Sequence, residues 1–374
     1  MPNSTADSVR GAVKVNGQII TGWKSFEVDN NSYASADTFS CVFAANALPG
    51  DRDAEWFSNQ QDMYIELFAG TPTDVTSWTA TELPRWIYGQ VDKIEYDPAQ
   101  GCIEVSGRDL TRVLIDAKTT EKFQNKTSSQ IASLLATRHG LTPQVTKTST
   151  LVGKYYAIDH EAMNNARTEW DLLCHLARIE QFVVYVRGQT LYFQPRPDPS
   201  KVTPYQIIWT PPDARTGSPT CNVEGLKLSR ALTVSRGIYV QVRSFNDVDQ
   251  RVYTATYPSS TGKKPSTPGT VGSSGNAQTY YYNVANLTKQ KCVEYAQAKY
   301  KELIQHEMLM RCEIPAAGND SLDTTSVVQL LGTGTAWDQI YFPESITRRL
   351  SFEEGYTLEL NAKNHNPDSQ EEGI

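Results

Sequence analysis

Two long stretches of this chain alternate apolar and polar residues with a period of two, and a shorter stretch of helical period separates them. A period of two sends successive side chains to opposite faces, which suits half-buried antiparallel strands and not helices. In the first stretch, Val13-Lys14-Val15-Asn16-Gly17-Gln18-Ile19 alternates around an Asn-Gly pair, the signal of a two-residue hairpin. Phe39 to Phe43, Met63 to Phe68, Arg85 to Tyr96 (with a break at Gly89) and Cys102 to Gly107 continue the pattern, and Asp97 to Gly101 makes a turn. Residues 1–116 are therefore expected to hold a first β-domain of antiparallel hairpins.

The period then changes. Thr127 with Gln130 three places on is a capping-box arrangement, Ile131, Leu134 and Leu135 follow at helical spacing, and Gly140 stands where a helix-ending glycine belongs. A second helix is predicted from Thr168, with Asp171 in its first turn and Trp170, Leu173, Leu176 and Ala177 on one apolar face. Phe182 to Val186 and Thr190 to Phe193 flank a tight turn at Arg187-Gly188-Gln189, so 117–204 reads as a small α/β domain. Residues 195–222, rich in proline and turn formers, read as a connector.

A second β-domain is expected over 205–363. Its strands are Leu226 to Val234, Ile238 to Phe245, Met310 to Ile314, Val327 to Leu331, Ile340 to Leu350 and Tyr356 to Ala362, with a helix from Thr288 to Met308 crossing them. The low-complexity stretch 257–279 is expected to be a mobile loop and 364–374 a frayed tail, because neither has the apolar residues to offset ordering. The class is α+β, mainly antiparallel β, and the two β-blocks hint at distant copies of one fold.

Composition narrows the function. A net charge of -7 lacks the basic footprint of a phosphate-gripping protein. No run of 18 apolar residues exists, so no membrane insertion is expected, and the polar start argues against a signal peptide. The six cysteines are scattered without a CxxC pair, which fits reduced, mostly buried thiols and no zinc site.

Catalytic patterns are sparse. His160-Glu161 is the nearest acid–base pair, but neighbours on an extended strand point apart. Asp51 with Asp53, and Glu353 with Glu354, read as turn charges and not as a glycosidase pair. Gly332-Thr333-Gly334-Thr335 lacks the Gly-Lys-Ser/Thr of a phosphate loop and reads as a strand-to-strand turn. Arg108 and Asp109 carry two readings: a group orienting a subunit contact, or, for Asp109, a cap on the turn Leu110 to Ile115, the reading preferred on local grounds. No catalytic, cofactor-binding or metal-ligating residue is expected.

The run Val105 to Asp116, holding Gly107, Arg108 and Asp109, resembles the end of the first tube-like domain of phage baseplate hub proteins, the group with the late-control tail proteins and the Mu-type hub. Glu169 to Arg178, with Trp170 and Asp171, then the strands around Gly188, resemble its next landmark. So do Val234 to Asn246, with Arg243, and the C-terminal segments holding Gly332, Gly334, Gly355 and Tyr356. The landmarks occur in family order over about 10–362.

The resemblance implies a homotrimer in which each chain supplies two tail-tube-like β-barrel domains, with the small α/β segment between them. Six domains would form a ring joining a six-fold tail tube, or a distal tail protein, to a three-fold spike. Unlike the hub part of type VI secretion spike proteins, this chain stops soon after the last tube-like strand. A separate spike protein is therefore expected, along with baseplate wedge partners and no lysozyme domain. Three chains would carry -21, three times -7, which suits DNA passing through without specific binding. The alternatives are a tail-tip hub of a non-contractile tail, a pyocin-like particle or a gene-transfer agent. A peptidoglycan-degrading tail enzyme and a carbohydrate-binding receptor protein are more distant readings.

Overall fold

The computed structural model describes residues 9–364 except 33–34, 120, 122, 124, 150, 153–166, 181, 196–200, 213–216, 231–237, 248, 259–277, 285–286, 305–307 and 316–321. The expected loop at 257–279, apart from its ends, the pair His160-Glu161 and the tail from 365 lie outside the described residues.

The first block contains β1 (Arg10–Val15), β2 (Gln18–Ile20), β3 (Trp23–Asn31), β4 (Thr38–Ala44), a short helix α1 (Ala54–Ser58), β5 (Tyr64–Gly70), β6 (Arg85–Asp97) and β7 (Cys102–Asp109). The strands lie in the order β2-β1-β5-β6-β7-β4-β3, each antiparallel to its neighbours. Asn16 and Gly17 adopt φ of +49° and +79°, the twist a two-residue hairpin needs. The alternating residues converge on one core that includes Val13, Phe26, Cys41, Leu67 and Val105. Bulges at Trp23/Ser25, Leu67/Phe68 and Val91/Lys93 curl the sheet around it. Gly89 does not break β6, as the sequence suggested. It is small because a Cβ there would lie 2.6 Å from both the Arg108 carbonyl oxygen and the Phe39 ring.

The middle segment runs α2 (Arg112–Asp116), β8 (Lys118–Thr119), β9 (Lys126–Thr127), α3 (Ser128–Arg138), β10 (Thr142–Val145), β11 (Leu151–Val152), β12 (Arg167–Thr168), α4 (Glu169–Glu180), β13 (Phe182–Arg187) and β14 (Thr190–Pro195). The capping box forms: Gln130 N donates to Thr127 Oγ1 at 3.3 Å, and Thr127 N donates to Gln130 Oε1 at 2.9 Å. The helices cover the sheet β10-β14-β13 over a core that includes Ile131, Leu135, Trp170, Leu173 and Phe193.

The second block contains β15 (Tyr205–Thr210), β16 (Thr220–Cys221), β17 (Glu224–Arg230), β18 (Ile238–Asn246), β19 (Arg251–Tyr257), β20 (Gln278–Asn283), α5 (Lys289–Ile304), β21 (Met308–Ile314), β22 (Val328–Leu331), β23 (Ile340–Ser351) and β24 (Gly355–Lys363). Strands β18 to β20 form a separate sheet under α5. The remaining strands lie in the order β16-β15-β22-β23-β24-β21-β17. Numbered along the chain within each seven-stranded set, with β18 to β20 left aside, both orders read second, first, fifth, sixth, seventh, fourth, third. From the fifth strand to the third the directions also agree, whereas β15 runs parallel to β22 where β1 is antiparallel to β5. The second block has its own core, including Met310, Cys312, Ile346, Leu358 and Leu360.

Three expectations change. The connector at 195–222 contains strands β15 and β16, whose short apolar run was masked by flanking prolines. The helix predicted to Met308 is described over Lys289–Ile304 and does not include Met308, which alternates inward as the first residue of β21. Closed barrels are not found: among the described residues no ladder joins β2 to β3 or β16 to β17, and the outer edge of β3 is taken by β23.

The turn at Gly332-Thr333-Gly334-Thr335 joins β22 to β23 as expected. Gly332 has φ +93° and a Cβ there would lie 2.0 Å from the Trp209 carbonyl oxygen, whereas Gly334, at φ +66°, faces open space. Gly334→Ala should cost about 1 kcal/mol for its backbone alone. Gly332→Ala should cost about 3 kcal/mol or more; equal urea midpoints for the two variants would contradict this packing.

Candidate functional site: the seam between the blocks

Strand β23 has two partners along one edge. Ile340 and Tyr341 pair with β22, a bulge follows at Pro343/Ser345, and Ser345 to Ser351 then pair with Asn31 to Ser25 of β3. This ladder joins side chains 318 residues apart and merges the blocks into one 14-stranded sheet while their cores stay separate.

The side chains of β23 show how. Ile346 enters the second core and Leu350 the first, so the inward face crosses from one core to the other. Between them Arg348 is 7% exposed. Its guanidinium donates to Asn30 Oδ1 of the first block and to the Leu322 carbonyl oxygen of the second. A cation at that depth is tolerated only when paired or hydrogen-bonded, which ties Arg348 to both sides at once. On the opposite face Thr347 Oγ1 donates to Asp29 Oδ1 at 2.5 Å and Arg349 Nε to Glu27 Oε2 at 2.6 Å. Aromatic rings extend the contact: Trp23 stacks on Phe352 at 4.4 Å, and Trp86 lies 5.5 Å from Phe26 and 5.6 Å from Tyr356.

A polar junction closes one end of the seam. Asp37 accepts from Asn31 N and Asn30 Nδ2, both at 2.8 Å, and its carbonyl accepts from Asp109 N at 2.9 Å. Burial pushes the Asp37 carboxyl up to about 6, against the pull of those hydrogen bonds and of Arg187 and Arg348. Burial, then the charge of Asp37, raises Asp109 well above the usual carboxylate range. Arg187 of the middle segment bonds Asp323 of the second block at 2.5 Å. Burial works to raise Asp323, but Arg187 and the hydrogen bonds from Thr325 outweigh it and hold the carboxyl low. Three parts of the chain thus meet in one charged network.

The residues singled out from the sequence scatter around this frame. Gly107 lets β7 approach β6, since a Cβ would lie 2.1 Å from the Gln90 carbonyl oxygen. Arg108 forks onto Asp92 at 2.7 and 3.2 Å and reaches Asp116 at 3.3 Å. Asp109 is not the helix cap, a position held by Thr111; it accepts from Thr111 N and Oγ1 at 3.2 and 2.8 Å, bracing the turn before α2. Trp170 is buried in the middle core, and Asp171 exchanges hydrogen bonds with Thr168. A Cβ at Gly188 would meet Arg85 at 2.4 Å. Arg243 is exposed on β18, in the separate sheet. Gly355 makes the β23–β24 turn at φ +76°, and Tyr356 packs at both block cores. Sequence reading missed Asp37 and the pairing role of Arg348; the one available signal was an arginine on the apolar face of Ile346-Thr347-Arg348-Arg349-Leu350.

An open depression of about 360 Å³ on the outer face of β3, β4, β7 and β6 contains Glu27, Asp29 and Asp92. Arg349, Thr347 and Arg108 already engage these acids, so they serve the framework. Asp53 caps α1 by accepting from Trp56 N at 2.9 Å. Among the described residues no group of three His, Cys, Asp or Glu is placed to hold a metal.

Asp37 and Asp109 hold protons more tightly in the folded chain than in the unfolded one, where 3.8 is the ordinary value. Folding therefore takes up protons there; the contribution of Asp37 to stability is complete below 3.8 and lost as pH rises through about 6, and that of Asp109 is likewise complete below 3.8 and lost as pH rises. Asp109→Asn, whose amide oxygen can still accept from Thr111 N while its NH2 donates to Thr111 Oγ1, should flatten the decline in melting temperature between pH 5 and 8. An unchanged slope would show that these carboxyls do not govern it.

No family model and no curated protein matches the sequence. Solved structures do match. A tail protein from Neisseria meningitidis aligns with a TM-score of 0.66 at 15% identity, over 95% of this chain and 96% of that one. A 43 kDa tail protein of prophage MuSo2 from Shewanella oneidensis aligns at 0.65 and 16%, over 96% and 99%. An E. coli type VI secretion component, described as structurally similar to the T4 tail proteins gp27 and gp5, aligns at 0.50 and 12%, over 95% and 77%. Over about 95% of its length the chain therefore has the fold of phage tail proteins, the group its sequence landmarks resemble.

Proposed function

We propose that the chain is the structural hub of a phage or phage-like tail: three copies form a ring that joins the six-fold tail tube to a three-fold central spike and leaves a channel through which DNA passes. One observation carries this reading. Two blocks with the same strand order already lie edge to edge within each chain, joined by β3 and β23. A chain that sets two like modules side by side is half of a repeating contact. When such a head-to-tail contact closes by rotation, it makes a ring. Three chains then supply six modules, which matches a six-fold tube above and a three-fold spike below.

In this reading 1–116 and 205–363 are the tube-like domains, 117–204 is the small domain between them, and 364–374 is a tail. The tail tube or distal tail protein and a separate spike protein contact opposite faces of the ring, with wedge proteins outside. The protein acts in the virion tail at the baseplate and works mechanically, without a cofactor or a catalytic group. A tail-tip hub of a non-contractile tail, a pyocin-like particle or a gene-transfer agent would use the same ring.

Light scattering coupled to size exclusion should give the mass of three chains. A single-chain mass at high concentration would contradict the ring. A zymogram on purified cell wall should show no clearing, and clear lysis would replace the structural reading with an enzymatic one.

A further inference from the structure

The repeated strand order leaves two edges whose counterparts are paired. In the second block, the end of β23 beyond its bulge pairs with β3. The equivalent end of β6, beyond the bulge at Val91/Lys93, pairs with β7 on one side and, among the described residues, with no strand on the other. In the first block β3 lies between β4 and β23, whereas its counterpart β17, among the described residues, pairs only with β21. Unpaired ladders of this kind are templates for another chain.

Residue equivalence follows from reading straight across each sheet. Lys93 opposes Ser106, which opposes Ser40, which opposes Glu27. Ser345 opposes Asn361, which opposes Arg311, which opposes Lys227. Lys93 thus stands for Ser345, and Glu27 for Lys227. Carrying the β23–β3 register onto the two open edges sets Asp97 opposite Lys227, Tyr96 opposite Leu228, Glu95 opposite Ser229 and Ile94 opposite Arg230.

The side chains at these positions fit. In the internal seam Arg349 of the sixth strand bonds Glu27 of the third; Asp97 and Lys227 restore that pair with the charges exchanged. Internally the Thr347 hydroxyl donates to the Asp29 carboxylate; Glu95 and Ser229 restore it with the partners exchanged. Tyr96, 52% exposed, meets the half-buried Leu228.

We infer that β6 of one copy pairs antiparallel with β17 of the next in this register, so that the contact between chains is a second version of the seam within each chain. The occupant of each edge is a second copy, because both halves of the contact are on one chain and their charges are complementary. This rests on the ring proposed above and assigns the strands and residues that close it.

The test uses the full chain with the partly exposed Cys102, Cys174 and Cys221 changed to Ser. Tyr96→Cys chains mixed with Leu228→Cys chains should give disulfide-linked dimers on mild oxidation, and neither alone should. The double variant should give covalent trimers. Independently, Lys227→Asp should weaken assembly at least tenfold, and adding Asp97→Lys should recover it, although Asp97 also accepts from Ala99 N and Gln100 N in its turn. A three-chain mass without cross-links and without charge rescue would overturn this seam and leave the ring standing. A chain that never assembles would overturn both.

Discussion

The ladder between β3 and β23 is the contact on which the rest of the architecture depends. There a single strand passes from one apolar core to the other, with Ile346 in one core, Leu350 in the other and the hydrogen-bonded Arg348 between them. Each backbone hydrogen bond in such a ladder contributes about 1 kcal/mol net. The side chains add register: slipping β23 by one residue would turn Arg348 outward and drive Arg349 into the apolar side. The orientation of one block relative to the other is therefore set by side-chain identity as well as by backbone pairing.

That contact also explains why the first block, among the described residues, does not close into a barrel. A sheet closes by pairing its two end strands, and β3, an end strand of the first block, gives its free edge to β23. Joining modules edge to edge and closing each on itself are competing uses of the same ladder, and this chain uses the first. The buried acids at the junction belong to the same design. Asp37 feels the charges of Arg187 and Arg348, and Asp109 that of Asp37, so charged groups of three segments interact where those segments meet.

Local structure was legible in the sequence wherever the determinant was local. The Asn16-Gly17 hairpin, the Thr127/Gln130 capping box and the alternation of Met310, Cys312 and Ile314 each need only neighbouring residues. Strand β15 was hidden because Tyr205 to Thr210 is short and set among prolines that read as a connector. The seam was not legible, because alternation tells which face of a strand is buried and nothing about which edge it offers to a partner 318 residues away. The family resemblance supplied the fold that the residues alone left open, and it over-predicted closure because the competition for β3 exists only in three dimensions.

The central claim is that like modules repeat around an axis through one kind of edge contact. End-on cryo-electron microscopy averages of the purified assembly test it most directly. The account predicts six lobes around an open channel, alternating between two slightly different shapes under three-fold symmetry. A particle with three lobes, or six lobes without a central opening, would contradict it.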